Sequence, residues 1–275
     1  CAIVTGVQTC ALPILRRCVL VASGLLVGAV GGAAAAMPAG LEPHRAFYEL
    51  ALAGDSSALV DAEGAFAVEW RAQCGGVTSR QRLWFVGGLP GGGEFDYDVR
   101  FSTWEATDER RMRFSMRSFQ DGSLIEEFRG HARMPEGGGA GRAVYTVPAG
   151  VEMRLPPDTL FPTAHLEELI DEAVAGSSVA SAALFDGAGI GSDALTLVTA
   201  AIGDPVPSPS DAERTWPMAL AYHPLAESDV EAPLFELSFE LSEAGVMRHV
   251  LLDYGAFALS AELERFERLA RPDCD

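Results

Sequence analysis

The sequence predicts a mainly β fold of antiparallel hairpins with one amphipathic helix. Three observations predict it. Runs of alternating or β-branched and aromatic residues recur from residue 44 onward, Gly, Asp and Pro punctuate them, and a single segment switches to helical spacing. The expected strands are 44–53, 63–72, 79–86, 95–105, 111–119, 124–134, 143–147, 182–185, 195–202, 216–223, 234–241 and 247–254. Gln120-Asp121-Gly122 and Glu243-Ala244-Gly245 signal tight turns between apolar alternations, so neighbouring strands should pair as hairpins.

The exception is 162–175, where Leu166, Leu169, Ile170, Ala173 and Val174 follow helical spacing. Pro162 stands where a helix can begin and Gly176 where it can stop. The apolar stripe is expected to pack against the concave face of a curved sheet. A second, short helix is expected at 260–269. The Gly-rich stretch 135–141 and the Pro-rich stretch 205–210 read as exposed loops. No repeat of fixed period and no shift of composition divides residues 37–275, which read as a single domain.

The first 36 residues read differently. Residues 1–14 resemble translated adapter sequence, with the expected start near Leu15. Arg16 and Arg17 then precede an apolar stretch from Val19 to Val30 and the small residues 31–36, the three parts of a cleavable signal peptide. The stretch is short for a transmembrane anchor and rich in Gly and Ala. A lipid-anchored leader would place Cys where Met37-Pro38-Ala39-Gly40 follows, so no retained membrane anchor is expected.

All 20 basic side chains among the 275 residues are Arg, against 39 Asp and Glu, for a formal charge of −19. This excess of acid argues against a nucleic-acid backbone or an anionic lipid surface as the main partner, although it leaves room for a local Arg cluster. Of the five cysteines, Cys1, Cys10 and Cys18 fall in the leader. Cys74 and Cys274 remain, most simply as one disulfide in an oxidising compartment, with two free thiols as the alternative.

No motif for chemistry stands out. G-x-S-x-G is missing, and Gly176-Ser177-Ser178 follows a helix instead of a strand. His44, His131, His165, His223 and His249 are scattered, with none spaced as a zinc pair. The glycines at 87–93 and 135–141 lack the Lys and following helix of a phosphate loop. Glu126 and Glu127 are adjacent on a strand and so face opposite ways, which unsuits them as an acid–base pair. Asp186 ends a strand in a turn, where such a residue usually bonds its own backbone. Trp70, Trp84, Trp104 and Trp216 all lie in expected strands, either filling a core or lining an apolar groove. No cofactor and no metal are expected.

A family resemblance is carried by Leu41-Glu42-Pro43-His44-Arg45-Ala46-Phe47-Tyr48, by Trp70-Arg71-Ala72-Gln73-Cys74 and by Leu155-Pro156-Pro157-Asp158-Thr159-Leu160-Phe161-Pro162-Thr163-Ala164-His165. Phe185-Asp186-Gly187, Leu252-Asp253-Tyr254-Gly255-Ala256-Phe257 and Cys274 complete it. In this order along the chain, the segments resemble the EipB family of periplasmic cell-envelope integrity proteins of alphaproteobacteria. The resemblance implies an antiparallel β-spiral of many strands wrapped round a central amphipathic helix at 162–176. It also implies a Cys74–Cys274 disulfide, a periplasmic location, and a role in envelope integrity and stress resistance. Gly75-Gly76 depart from the family pattern of an acidic residue, Gly and Trp after the cysteine, which bears on packing near the disulfide.

Two functions follow as expectations. One is a non-enzymatic protein binding an apolar or peptide-like ligand, or an envelope protein, a lipoprotein or a lipid-like molecule. The alternative is an envelope hydrolase whose site is assembled from distant residues, with His165 and Asp186 as the pair to test.

Overall fold

The computed structural model describes residues 40–207, 213–225 and 232–274. The expected leader, residues 1–36, lies outside them. Strands β1 (His44–Ala53), β2 (Asp61–Gln73), β3 (Gly76–Gly88), β4 (Glu94–Ala106), β5 (Arg111–Gln120) and β6 (Ser123–Arg133) follow one another as antiparallel hairpins. β7 (Gly141–Val147) and β8 (Glu152–Leu155) continue the meander. Helix α1 (Pro162–Ala175) interrupts it. Then come β9 (Val179–Phe185), β10 (Leu195–Ile202), β11 (Val206–Pro207), β12 (Arg214–Pro224), β13 (Phe235–Ser242), β14 (Met247–Asp253) and β15 (Ala258–Arg268).

All belong to one sheet, whose order runs from β8 back to β1, then through β15, β14, β13, β12 and β10 to β9, with β11 paired beside β12. The pairing of β1 with β15 joins the two halves of the chain, from His44 opposite Arg268 to Ala53 opposite Ala258. The result is a nearly closed antiparallel barrel with one short helix. Its two ends, β8 and β9, approach each other through Leu160, which makes an isolated bridge to Leu184.

Alternation explains the inner surface. In β1, His44, Ala46, Tyr48 and Leu50 are buried, and in β5 so are Met112, Phe114, Met116 and Ser118. The main cluster joins inward residues of β1, β2, β12 and β13, among them Leu50, Trp70, Trp216 and Phe239, to Leu169, Ile170 and Ala173 of α1. Burying an aliphatic side chain of this size contributes about 2 kcal/mol, so the helical stripe is held mainly by the sheet it faces. A second cluster gathers Met112, Phe114, Tyr145, Leu155, Phe161 and Phe185 where the ends of the sheet meet. α1 stops at Gly176, a left-handed residue whose N–H donates to the Ala173 carbonyl.

Two expectations are corrected and one strand is added. The segment expected as a second helix, 260–269, lies almost wholly in β15. Its apolar alternation through Leu259, Ala261 and Leu263 loses phase where a bulge opposite Phe47 and Tyr48 displaces the register, which leaves Leu263 and Phe266 at helical spacing. Hydrogen bonding to β1 and β14 outweighs the helix propensity of its Leu and Glu residues. β8 was not expected, because Glu152-Met153-Arg154-Leu155 is too short to establish a pattern. Within the expected loop 205–210, Val206 and Pro207 pair with β12, and 208–210 lie outside the described residues.

Candidate functional site

Helix α1 begins without a cap of its own. Phe161, at the N-cap, has no side chain to accept a hydrogen bond, so the first-turn N–H groups need another acceptor. Glu105 of β4 supplies it: the Thr163 N–H donates to its carboxylate at 3.0 Å and the Thr163 hydroxyl at 2.9 Å. Only 3% of Glu105 is exposed. Burial pushes its pKa up to about 7, against the opposing pull of the bonds from Thr163 and Ala164, and the nearby Glu167 adds to the rise. Glu105 falls in the same alternation phase as Phe101 and Thr103, so the visible signal for it is a carboxylate in the inward phase of a strand.

The seam between β8 and β9 is held by a few specific contacts. Leu160 donates its N–H to Ala183 O at 2.8 Å and accepts from Phe185 N at 3.0 Å. The Tyr145 hydroxyl, on β7, donates to Gly189 O at 2.7 Å. Asp186 accepts the Ala188 N–H at 2.8 Å, the local backbone bond its turn predicts, and burial raises its pKa to about 6. Beyond the Leu160 bridge, Val179 and Ser181 lie exposed on β9.

The structure does not join the pair named for a hydrolase. His165 lies buried on α1, its pKa lowered to about 4 by burial, and no hydrogen bond links it to Asp186. Burial, with a smaller contribution from Asp186, raises the pKa of Tyr145 and Tyr222. The other histidines are dispersed: His44 Nδ1 lies 2.7 Å from Glu42 O, and His249 Nδ1 lies 2.7 Å from Glu262. Glu127 faces outward to Arg117 and Arg129, while Glu126 stands opposite Ser118.

Two further groups bear on binding. On the inner face, Trp70, Ser79 and Thr103 stand opposite one another across β2, β3 and β4. Trp70 Nε1 and Thr103 Oγ1 are buried there and have no hydrogen-bond partner. Beside α1, a cavity of about 380 Å³ is bordered by the carboxylates of Glu109, Glu167, Glu168, Asp171 and Glu243. Burial and the charges of Glu109 and Asp171 raise the pKa of Glu167. Among the described residues no three His, Cys, Asp or Glu side chains are grouped to hold a metal ion, and no helix is long and apolar enough to cross a membrane.

Cys74 lies in the two-residue turn between β2 and β3, and its sulfur is 2.16 Å from that of Cys274, 200 residues away, with a Cα separation of 5.5 Å. Next to it, Gly76 approaches β4 so closely that a Cβ there would lie 2.0 Å from Glu105 O. A larger residue at 76 would therefore push directly on the strand that caps α1.

The segments that carry the family resemblance do structural work at such junctions. Pro43 O accepts Leu269 N, and Glu42 receives Arg268 at 2.9 Å, which fixes β1 against the C-terminal segment. Leu155 and Phe161 are fully buried, Leu160 bridges the seam, and Thr163 reaches Glu105. Gly187 takes φ of 76°, and a Cβ on it would meet the Phe114 ring at 2.4 Å. Asp253 accepts the Gly255 N–H at 2.7 Å in the turn before β15.

Comparison with known proteins agrees with this arrangement. A family model described as EipB-like matches residues 34–270. The cell envelope integrity protein EipB of Brucella abortus (strain 2308) is 30% identical over 268 residues, covering 91% of this chain and 94% of that protein. The crystal structure of a beta-barrel-like protein of domain of unknown function DUF1849 from Brucella abortus superposes with a TM-score of 0.77 at 26% identity, covering 84% of this chain and 99% of that one. Matched from its first described strand to its last, this chain belongs to the EipB-like family.

Proposed function

We propose that the protein supports cell-envelope integrity and envelope-stress resistance from the periplasm, as a non-enzymatic binder of an apolar or peptide-like ligand or an envelope partner. The observation that carries the role is the match to Brucella EipB along nearly all of both chains. In this reading residues 1–36 contain the export signal that is removed, and residues 37–275 form a single domain. The barrel is then a spiral wound round α1, and Cys74 and Cys274 are its disulfide.

Binding is supported by two features. Trp70 Nε1 can donate and Thr103 Oγ1 can donate or accept, so together they suit a ligand carbonyl or amide on the inner face. Leaving such groups buried and unpaired costs about 1–3 kcal/mol each, a cost that a ligand would offset. The seam offers a route, since the segment after β8 is joined to β9 by one backbone bridge, at Leu160, and Val179 and Ser181 are exposed on β9 beside it.

Native mass spectrometry of protein purified from a periplasmic extract, alongside the Thr103→Val variant, tests the binding. A co-purifying lipid, lipopeptide or envelope protein retained by the wild type and reduced in the variant is the expected result. Failure of both to retain any of these classes would remove the binding reading.

A further inference from the structure

The register of four neighbouring strands places Arg111, Arg133, Arg142 and Arg154 directly opposite one another, from β5 through β6 and β7 to β8. All four are exposed on the outer face of the sheet. At about 4.8 Å per strand the row spans about 14 Å. The adjacent row adds Arg113 and His131, with the Arg113 guanidinium over the Trp104 ring at 5.3 Å. A shallow cleft of about 450 Å³ lies among Trp104, Arg111, Arg113, Arg129, His131 and Arg133.

Like charges directly opposite on a sheet repel, and a protein with 39 acidic side chains has ample means of cancelling them. It does so elsewhere on the same surface. Arg82 and Arg100 share Asp98 at 2.9 and 2.6 Å, and Arg117 and Arg129 share Glu127. In the four-arginine row, Asp108 reaches Arg111 at 3.2 Å and Glu152 reaches Arg142 at 3.3 Å. Arg113, Arg133 and Arg154 have no carboxylate partner among the described residues. The row is therefore only partly neutralised, with Arg133 and Arg154 left without a carboxylate among the described residues, although the chain as a whole is strongly acidic.

We infer that this arginine row is a binding site for a compact ligand bearing two or more phosphate groups. Planar guanidiniums recognise phosphate oxygens by paired N–H bonds, and a 14 Å row can engage neighbouring phosphates together. The limited length of the row, set within an acidic protein, suits a compact multiply charged group rather than a long polyanion. The inference is independent of ligand binding on the inner face, because the row lies on the opposite side of the sheet.

The test uses the purified chain with two probes: sodium tripolyphosphate, and phosphatidylcholine vesicles containing one-third cardiolipin, whose headgroup carries two phosphates. Arg133→Ser with Arg154→Ser is compared with Arg80→Ser with Arg265→Ser, which removes equal charge elsewhere on the sheet. Binding of either probe is expected to weaken at least tenfold in the first pair, to change less than twofold in the control pair, and to fall steeply with salt. Retention of tripolyphosphate identifies a soluble phosphate compound as the source. Retention of the vesicles alone identifies a lipid headgroup. Should the serine pair fail to fold, Arg133→Lys with Arg154→Lys keeps the charge and is expected to weaken binding through loss of the planar fork. Absence of binding to both probes, or equal loss in the control pair, would overturn the assignment.

Discussion

The carboxylate of Glu105, on β4, caps the helix that begins at Pro162 by accepting both the backbone N–H and the hydroxyl of Thr163. This contact crosses 58 residues of sequence and ties the helix to the sheet at its buried end. Thr163→Val keeps the shape and removes the hydroxyl donor, and should cost about 1–2 kcal/mol in urea unfolding. Glu105→Ala removes every acceptor at the helix start and should cost more. Equal stability of both variants and wild type would show that the cap contributes nothing.

The same carboxyl predicts a pH dependence. Its folded pKa, about 7, lies above the ordinary value of 4.5, so between these values the folded state binds the extra proton. The contribution is fully present below about pH 4.5 and is lost as the pH rises towards 7, on the order of 3 kcal/mol in all. Asp186 acts in the same direction below about pH 6, whereas His165, lowered to about 4, opposes them between pH 4 and 6.5. Glu105→Gln should therefore remove this fall between pH 5 and 7, and the contributions of Asp186 and His165, common to both proteins, cancel in the difference from wild type. Denaturant midpoints measured across that range give the slope, and an unaltered slope would contradict the assignment.

Linking Cys74 to Cys274 closes a loop of 200 residues. In the chain-entropy model such a link stabilises by at most about 5 kcal/mol. Reduction, or Cys74→Ser, should lower the melting temperature by about 10 °C while leaving the far-ultraviolet dichroism of a β fold. An unchanged melting temperature after reduction would count against the disulfide.

At the seam, Tyr145→Phe deletes the hydroxyl that bonds Gly189 O and should cost about 1 kcal/mol. Gly187→Ala combines an unfavourable positive φ with a clash against Phe114 and should cost about 2–4 kcal/mol. Hydrogen exchange should show faster opening of β9 in both variants, with little change at β2 and β3.

Most strands were legible because each repeats its alternation over enough residues to declare a phase. β1 at His44–Ala53 and β10 at Leu195–Ile202 match the expected bounds, as does α1 between Pro162 and Ala175. β15 was not legible, since its bulge breaks the phase that would have marked it. Glu105 was visible only as an acid in an apolar phase, because its partner lies on a helix far along the chain. The arginine row was hidden for a related reason. Arg111, Arg133, Arg142 and Arg154 are unremarkable one by one, and only the registers of three successive pairings align them. Likewise the departure at Gly75-Gly76 gains meaning only when β4 is seen to pass against Gly76.

The central claim, a periplasmic role in envelope integrity, is tested most directly by complementation. A Brucella abortus strain lacking its EipB, made to express this chain, would be plated on medium containing a membrane-disrupting detergent. Restored plating efficiency, lost again when residues 15–36 are deleted so that the protein is not exported, is the predicted result. Normal periplasmic accumulation of the protein without any restoration of growth would contradict it.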